Sequence, residues 1–578
     1  MKYLYSTLLL IIYTSGFSQV STSAEDILQS LKIQNELIEN SIVKNLEFKN
    51  IGPSVMSGRV TDLEVNPNNP SEFYVAYASG GLWHTVNNGN TFSPIMDNSD
   101  TQNIGDFDID WSTRLIIVGT GENNSSRSSY AGVGILKSND NGKTWKNIGL
   151  NDSHHIGKIV INPNNPNEIV VAVLGHLYSK NKERGIFKTI DGGVTWENTL
   201  YIDESTGIID LDISPNNFKI QFASSWQKSR KAWDFKGNGE KSGIYKSVDS
   251  GNTWNLISTQ KSGFPTGNGV GRIGLAVFDS KTLYAVVDNQ FRRPKSKAST
   301  EKTDLSKNYF ESISKERFLK IEDLKLDKFL TTNSFPKKYN STKIKELVKN
   351  DLIKPSDLKL YLEDANTVMF ETPIIGAQVY RSDDGGLNWT LKNSYYLDRL
   401  YNTYGYYFGK IHVSPVNKDD IYIYGVPFIK SNDGGVTYES IDYPNVHVDH
   451  HDLWINPKNP KHLINGNDGG VNISYDDGEN WLKLNQPSVG QFYTINVDNE
   501  IPYNVYGGLQ DNGVWMASSQ SKESLRWHQT GQNNWKSIMG GDGMQVQIDN
   551  RDSNIIYTGS QFGVYYRINK SKRTYIKP

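Results

Sequence analysis

The sequence predicts an all-β propeller of seven complete four-stranded blades, an incomplete second set, and a helical insertion within one blade. Three observations predict it. A short pattern, Ser/Thr-x-Asp-x-Gly-x-Thr-Trp, recurs seven times: Thr85–Phe92 (with Asn87 at the aspartate position), Ser138–Trp145, Thr189–Trp196, Ser247–Trp254, Ser382–Trp389, Ser431–Tyr438 and Ser474–Trp481. Successive copies lie 43–58 residues apart, with one gap of 135 between Asp249 and Asp384, and repeats of this length mark propellers and solenoids. The 50 glycines and the 11% aromatic content supply the tight turns and strand formers of an all-β chain.

Taken in chain order, residues 1–18 read as a secretory signal peptide. Lys2 is followed by an apolar stretch centred on Leu8–Ile12 and by small residues at Gly16 and Ser18. Nothing later approaches the length of a membrane span, so an exported protein of the periplasm or extracellular space is expected. Residues 19–47 form an N-terminal arm, with Leu28, Leu31 and Leu37 at roughly helical spacing. The chain has no cysteine, which excludes disulfides and thiol chemistry. Its net charge of −2 and lack of long basic runs argue against a nucleic-acid partner.

The propeller is expected over 48–486. Its first strands are Val60–Pro67, Ile156–Pro163, Ile208–Pro215, Lys410–Pro415 and Leu453–Pro457, several closed by Asn-Pro turn signals. Residues 290–373 abandon strand alternation for charged, helical sequence; removing them restores an ordinary spacing, so they are an insertion in one blade. Their charge suggests a cap over the polar face without a large core of its own. Residues 487–578 open a second propeller with units Phe492–Trp527 and Met544–Tyr566, the last stopping after its third strand.

The repeated pattern is the Asp-box, or BNR, motif, and its chemistry is local. The hydroxyl and the carboxylate accept hydrogen bonds from turn amides, a glycine such as Gly142 permits positive φ, and the closing tryptophan packs between sheets. A group repeated in every blade is not the special group of a catalytic site.

In a four-stranded blade these turns lie at one end; second-to-third and blade-to-blade loops lie at the other. That second set holds the candidate ligand-binding residues Glu122, Arg127, His176, Arg184, Trp226, Arg230, Trp233, His447, Asp449, His450, His451, Gln510 and Asp511. The tryptophans flanking Arg230 suit stacking on sugar rings or gripping a peptide. Glu122, Asp511 and Asp542 are the candidates for general acid or base. Along His447–Asp452, alternation puts His447, Asp449 and His451 on one side and His450 and Asp452 on the other. The first three are candidate ligands for a divalent metal, weighed against a hydrogen-bonded plug between blades. No cofactor is otherwise indicated.

The segments GTGENNSSRSSYAGVGILKSNDNGKTW, LGHLYSKNKERGIFKTIDGGVTW, VHVDHHDLWINP, GNDGGVNISYDDGENW, GGLQDNGVW and GGDG resemble bacterial exported BNR-repeat proteins with a sortilin-type N-terminal propeller domain. The resemblance runs from about Asn45 to the end. It implies binding of an extracellular polysaccharide, peptide or protein on the polar loop face. Members of that family are usually longer, so the chain is expected to be a truncated reading frame or a fragment. Tandem Asp-box propellers also resemble xyloglucanases, which implies, as the alternative, glycoside hydrolysis of β-glucan between two propellers. The Arg-Ile-Pro motif of sialidases is absent, with only Arg292-Arg293-Pro294 and Arg567-Ile568-Asn569 approaching it.

Overall fold

A computed structural model describes residues 21–577 apart from 55, 295–304, 334, 336–337, 363–373, 402 and 523–532. Residues 1–18, read from the sequence as a signal peptide, lie outside the described residues. A helix, Ala24–Asn40, precedes the first strand; Ser23 caps it by accepting the Asp26 N–H, and it buries none of its residues. No helix among the described residues is long and apolar enough to cross a membrane.

Seven four-stranded antiparallel sheets follow, each built in chain order: blade 1 (60–94), blade 2 (104–147), blade 3 (156–200), blade 4 (206–256, with a separate hairpin of Ser229–Lys231 and Asp234–Lys236 between its second and third strands), blade 5 (270–391), blade 6 (410–440) and blade 7 (450–483). The apolar cores lie between blades, not within them. One cluster fills each interface in turn, and the seventh joins Val60, Leu63 and Val75 of blade 1 to Ile464, Val471 and Ile473 of blade 7. That last cluster closes the ring.

The repeated turns form as their chemistry requires. In Ser138–Trp145, Ser138 Oγ donates to Asp140 Oδ1 (2.8 Å) and accepts from the Gly142 N–H (2.8 Å), while Asp140 accepts from the Thr144 N–H (2.9 Å) and hydroxyl (2.6 Å). The same bonds recur at Asp191, Asp249 and Asp433, and at Asp384 and Asp476 an asparagine replaces the threonine. The tryptophans reach into the preceding blade: Trp145, Trp196 and Trp481 donate Nε1–H to the carbonyls of Ile95, Ile148 and Ile441, each at 2.8 Å. Every such turn joins third and fourth strands. Glu122, Arg184 and Trp226 lie between or at the ends of second and third strands, at the opposite end, and His450 enters its first strand from that end.

In six of the seven blades the inner strand bulges within its first few residues, as at Val60/Asp62, Ile104/Asp106, Ile208/Asp210 and His450/Asp452. A bulge re-aims the side chains beside it. The residue after the bulge is often an aspartate whose carboxylate accepts a backbone N–H from the next inner strand: Asp62 from Phe107 (3.0 Å), Asp106 from Ile159 (2.7 Å), Asp210 from Leu275 (2.8 Å) and Asp452 from Leu63 (2.9 Å). Gly105 and Gly157 occupy the bulge because a Cβ there would meet Ile156 O at 2.2 Å and Ile208 O at 2.6 Å. A cavity of about 250 Å³ remains in the channel among Lys158, Asp210, Asp212, Arg272, Lys410, His412 and Asp452.

Three expectations need correcting. The insertion does have its own core: Phe310, Phe318, Leu326, Phe329, Ile344, Val348 and Leu358 are buried together, because its short helices keep apolar faces beneath the charged residues. The last unit forms a fourth strand, Thr574–Ile576, and the unit before it runs on to Lys536–Met539. Alternation along His447–Asp452 is broken by the bulge: His450 bonds Asn465 and packs on Phe428 of blade 6, whereas Asp452 turns to blade 1.

The Trp481 bond to blade 6 gives a direct check on how the blades are joined. Trp481→Phe keeps the apolar contact and loses one hydrogen bond, an expected cost of about 1 kcal/mol. Trp481→Ala also opens a cavity, with an expected cost of roughly 3–5 kcal/mol. Denaturant midpoints of the two variants should fall in that order, and equal losses would contradict the account.

Candidate functional site

The loop end of the channel is organised around Arg59, the residue preceding the blade 1 inner strand. Its guanidinium is buried and engages three carboxyl groups from three different units. Nη1 donates to Glu122 Oε1 of blade 2 at 2.8 Å, Nε to Asp468 Oδ1 of blade 7 at 3.0 Å, and Nη2 to Asp511 Oδ2 of the eighth unit at 3.2 Å. The Tyr407 ring, from the loop before blade 6, lies 5.1 Å from its Cζ, a cation–π distance.

Two of the three partners are held by tight turns, and Glu122 lies in the longer loop between Leu115–Thr120 and Ile135–Ser138. Asp468 sits between Leu463–Asn467 and Gly470–Ser474, and Asp511 occupies the equivalent turn between Asn504–Leu509 and Gly513–Ser518. His451, re-aimed by the blade 7 bulge, places Nε2 at 2.7 Å from Asp468 Oδ1. The Asp511 N–H donates to Asp542 Oδ1 (2.8 Å), and Asn512 Nδ2 donates to the Asp468 carbonyl (2.9 Å), which ties the eighth unit to the ring. His447 Nε2 lies 3.4 Å from the Asp511 carbonyl. One carboxylate oxygen each from Asp449, Asp468 and Asp511 lies within 4.8 Å of the others.

Burial and charge push these acids apart. Burial would raise Asp468, but Arg59 and His451 more than offset it and hold it ionised below its usual range. Burial and the neighbouring Asp468 charge push Asp511 up to about 9, against the pull of Arg59. Asp449 is raised to about 7 for the same two reasons, and burial raises Glu122 despite its ion pair. One ionised acid thus stands beside proton-retaining ones. The Asp511 side chain is 26% exposed, while those of Arg59, Glu122 and Asp468 are sealed.

The structure therefore brings together Glu122, Asp449, His451, Asp511 and Asp542, with His447 at the edge and Gln510 held by its backbone to Gln491. It adds Arg59 and Asp468, which the sequence reading missed. The set His447, Asp449 and His451 does not converge as a metal site: His447 Nδ1 turns to the Val448 carbonyl and His451 is committed to Asp468.

The remaining candidates lie elsewhere on the loop face. Arg127 is exposed, and its carbonyl accepts the Tyr178 hydroxyl. His176 bonds Asp152 and Ser179. Arg184 is a structural residue, buried and donating to the carbonyls of Leu174, His176 and Ser179. Trp226 is also structural: it is fully buried, with Nε1–H given to the Gly237 carbonyl, so it offers no stacking face. His450 is fully buried too. Arg230 lies over the Phe235 ring at 3.8 Å, and Trp233 projects into solvent.

No family model matches this chain, and no curated protein matches it by sequence. Solved structures do match in fold. The GH74 xyloglucanase from Xanthomonas campestris aligns over 91% of this chain and 80% of its own, at 12% identity and a TM-score of 0.35. The Niastella koreensis GH74 enzyme aligns over 89% and 75%, at 15% identity and a TM-score of 0.29. YCF48 bound to D1 peptide aligns over 75% and 98%, at 11% identity and a TM-score of 0.39. These are likenesses of fold and transfer no function.

Two measurements probe the hub. Arg59→Met would strand buried carboxylates without a partner, and is expected to cost about 3–5 kcal/mol in urea titrations. The folded protein keeps the Asp511 proton up to about 9, whereas an ordinary aspartate releases it near 3.8. Its contribution to stability is therefore full below the lower value and is lost as pH climbs through the higher one. Relative to wild type, Asp511→Asn should gain stability steadily from about pH 5 to about pH 9; a flat difference would show that Asp511 ionises normally.

Proposed function

We propose that this protein is an exported propeller of the Asp-box (BNR), sortilin-type kind that binds an extracellular polymer or peptide on its loop face, around Arg59. The observation that carries the reading is the division among the carboxyl groups. Glu122 and Asp468 are buried and committed to Arg59 and His451, so they make a rigid floor. The groups left to meet a ligand are Asp449, Asp511 and the half-exposed Tyr130 and Tyr493. The Tyr493 hydroxyl lies within electrostatic reach of Asp542, Asp511, Arg59 and Tyr130, so both exposed rings stand near the hub. A preformed floor with an aromatic rim loses little entropy when a chain settles on it. Asp511 gives its own proton to Asp468, so its other oxygen and Asp449 are left to accept from hydroxyl or amide donors, the groups that sugars and peptides supply.

One observation favours a second reading, glycoside hydrolysis. Asp449 and Asp511 are both part-exposed, approach within 4.8 Å and hold protons to about 7 and about 9. Retaining glycosidases set two carboxyls about 5–5.5 Å apart, one protonated and one ionised. The pair becomes one ionised and one protonated carboxyl only above about pH 7, where Asp449 has released its proton and Asp511 has not; binding needs no such charge state and is preferred.

Glycan and peptide arrays identify the ligand class. On the ligand found, Tyr130→Ala and Tyr493→Ala should each weaken affinity about tenfold, while Asp433→Ala, on the opposite face, should leave it unchanged. Full affinity in both tyrosine variants would sink the binding site. Release of reducing ends from β-glucan, lost in Asp511→Asn, would establish the hydrolase instead.

A further inference from the structure

Away from the Arg59 hub, the loop between blades 2 and 3 meets the second-to-third loop of blade 3. There Asp152, His154 and His176 each bring one donor atom within 4.8 Å of the other two. We propose that these three side chains form a binding site for a divalent transition-metal ion of the zinc or cobalt type, separate from the polymer-binding surface.

The chemistry of the donors supports it. Two imidazoles and a carboxylate are a set that zinc and its neighbours accept, with the remaining positions open to water. The His154 Nε2 atom is buried and has no hydrogen-bond partner, a costly arrangement for a polar atom unless something occupies it. The loop places His154 at φ 56°, in the left-handed region that a non-glycine residue seldom adopts, and this lands its ring on His176 at 3.6 Å between centroids. His176 is oriented from behind: Nδ1 lies 2.7 Å from Ser179 Oγ, and Nε2 faces Asp152 Oδ1 at 3.0 Å. A hydrogen bond on the far nitrogen is what fixes a metal-binding histidine. Asn181 Nδ2 steadies Asp152, whose side chain is 30% exposed and opens the site to solvent.

As they stand the two rings are tilted by only 22°, and one ion cannot lie in both ring planes. A shared ion therefore requires the His154 ring to shift toward the His176–Asp152 edge, and its Nε2 makes no hydrogen bond that this would break. The ion then takes the place of the His176 Nε2 proton facing Asp152, and that proton is carried on Nδ1, toward Ser179 Oγ. The acidic group Asp449–Asp468–Asp511 is the poorer metal site because Arg59 already bridges two of its members.

Calorimetric titration of the full chain with zinc chloride, and visible absorption on adding cobalt(II), test the site. One equivalent should bind, with a tetrahedral or five-coordinate cobalt spectrum. His154→Ala and Asp152→Asn should each weaken binding at least tenfold, and Asp449→Asn should leave it unchanged. His154→Ala removes a ring that makes no hydrogen bond, so the fold should survive; circular dichroism and an unchanged melting midpoint in chelator verify this. Lack of saturable binding overturns the proposal, as does full affinity in His154→Ala or loss of affinity in Asp449→Asn. Ligand binding at the Arg59 face is scored separately on the tyrosine variants, so either reading can fail alone.

Discussion

The fold depends on how blade 7 is held to blade 1. Every blade is assembled from one stretch of the chain, so no strand is exchanged between the two ends of the ring. The seam must hold by side chains and a few main-chain bonds. It does so through an apolar cluster, the Asp452 bond to the Leu63 N–H, the Ser57 N–H bond to the Gly469 carbonyl, and Arg59 reaching across to Asp468. A buried guanidinium is tolerable only when its partners are close and fully engaged. That requirement fixes Glu122, Asp468 and Asp511 in place, and in doing so creates the rigid floor of the candidate site. Closure of the ring and preorganisation of the site are one constraint.

The architecture was legible in the sequence because its signals are local and periodic. A Ser-x-Asp-x-Gly turn carries its own hydrogen bonds, so seven copies count the blades, and loops follow from strand order. The site was only partly legible. Glu122, Asp511 and Asp542 stood out as carboxyls in loops of the polar face, and the structure brings them to one place. Arg59 carried no local signature; it acquires its role only when the ring closes on it. Asp468 did have a signal. Superimposing Asn467-Asp468-Gly469-Gly470 on Gln510-Asp511-Asn512-Gly513 aligns the two aspartates in equivalent turns. Arg184, Trp226 and His450 have residue types that serve ligands or cores equally well, and only burial distinguishes the two. The bulges, which a pattern of period two does not reveal, turned His451 to the hub and Asp452 to blade 1.

The bulges also explain why the inner strands are so acidic. In a ring of wedge-shaped blades the inner strands converge, and at the bulge their backbones come too close for a side chain at Gly105 and Gly157. A short carboxylate just beyond the bulge spans the gap and meets the next strand's N–H. Lys158 and Lys410 stand among these acids; Lys158 reaches Asp106 at 2.8 Å and Lys410 lies 3.6 Å from Asp452. The channel is thus lined by compensating charge and retains a polar cavity, which suits hydration better than an apolar ligand.

The repeated turns have a consequence at the scale of the whole molecule. Hydrogen bonds from their own loops hold Asp140, Asp249 and Asp433 at about 2, so these carboxylates keep their charge in acid. At the other end Asp449 and Asp511 surrender theirs near 7 and 9. The two ends of the propeller therefore respond to pH in separate ranges: Asp449 and Asp511 change charge around and above neutrality, the turn carboxylates only in strong acid.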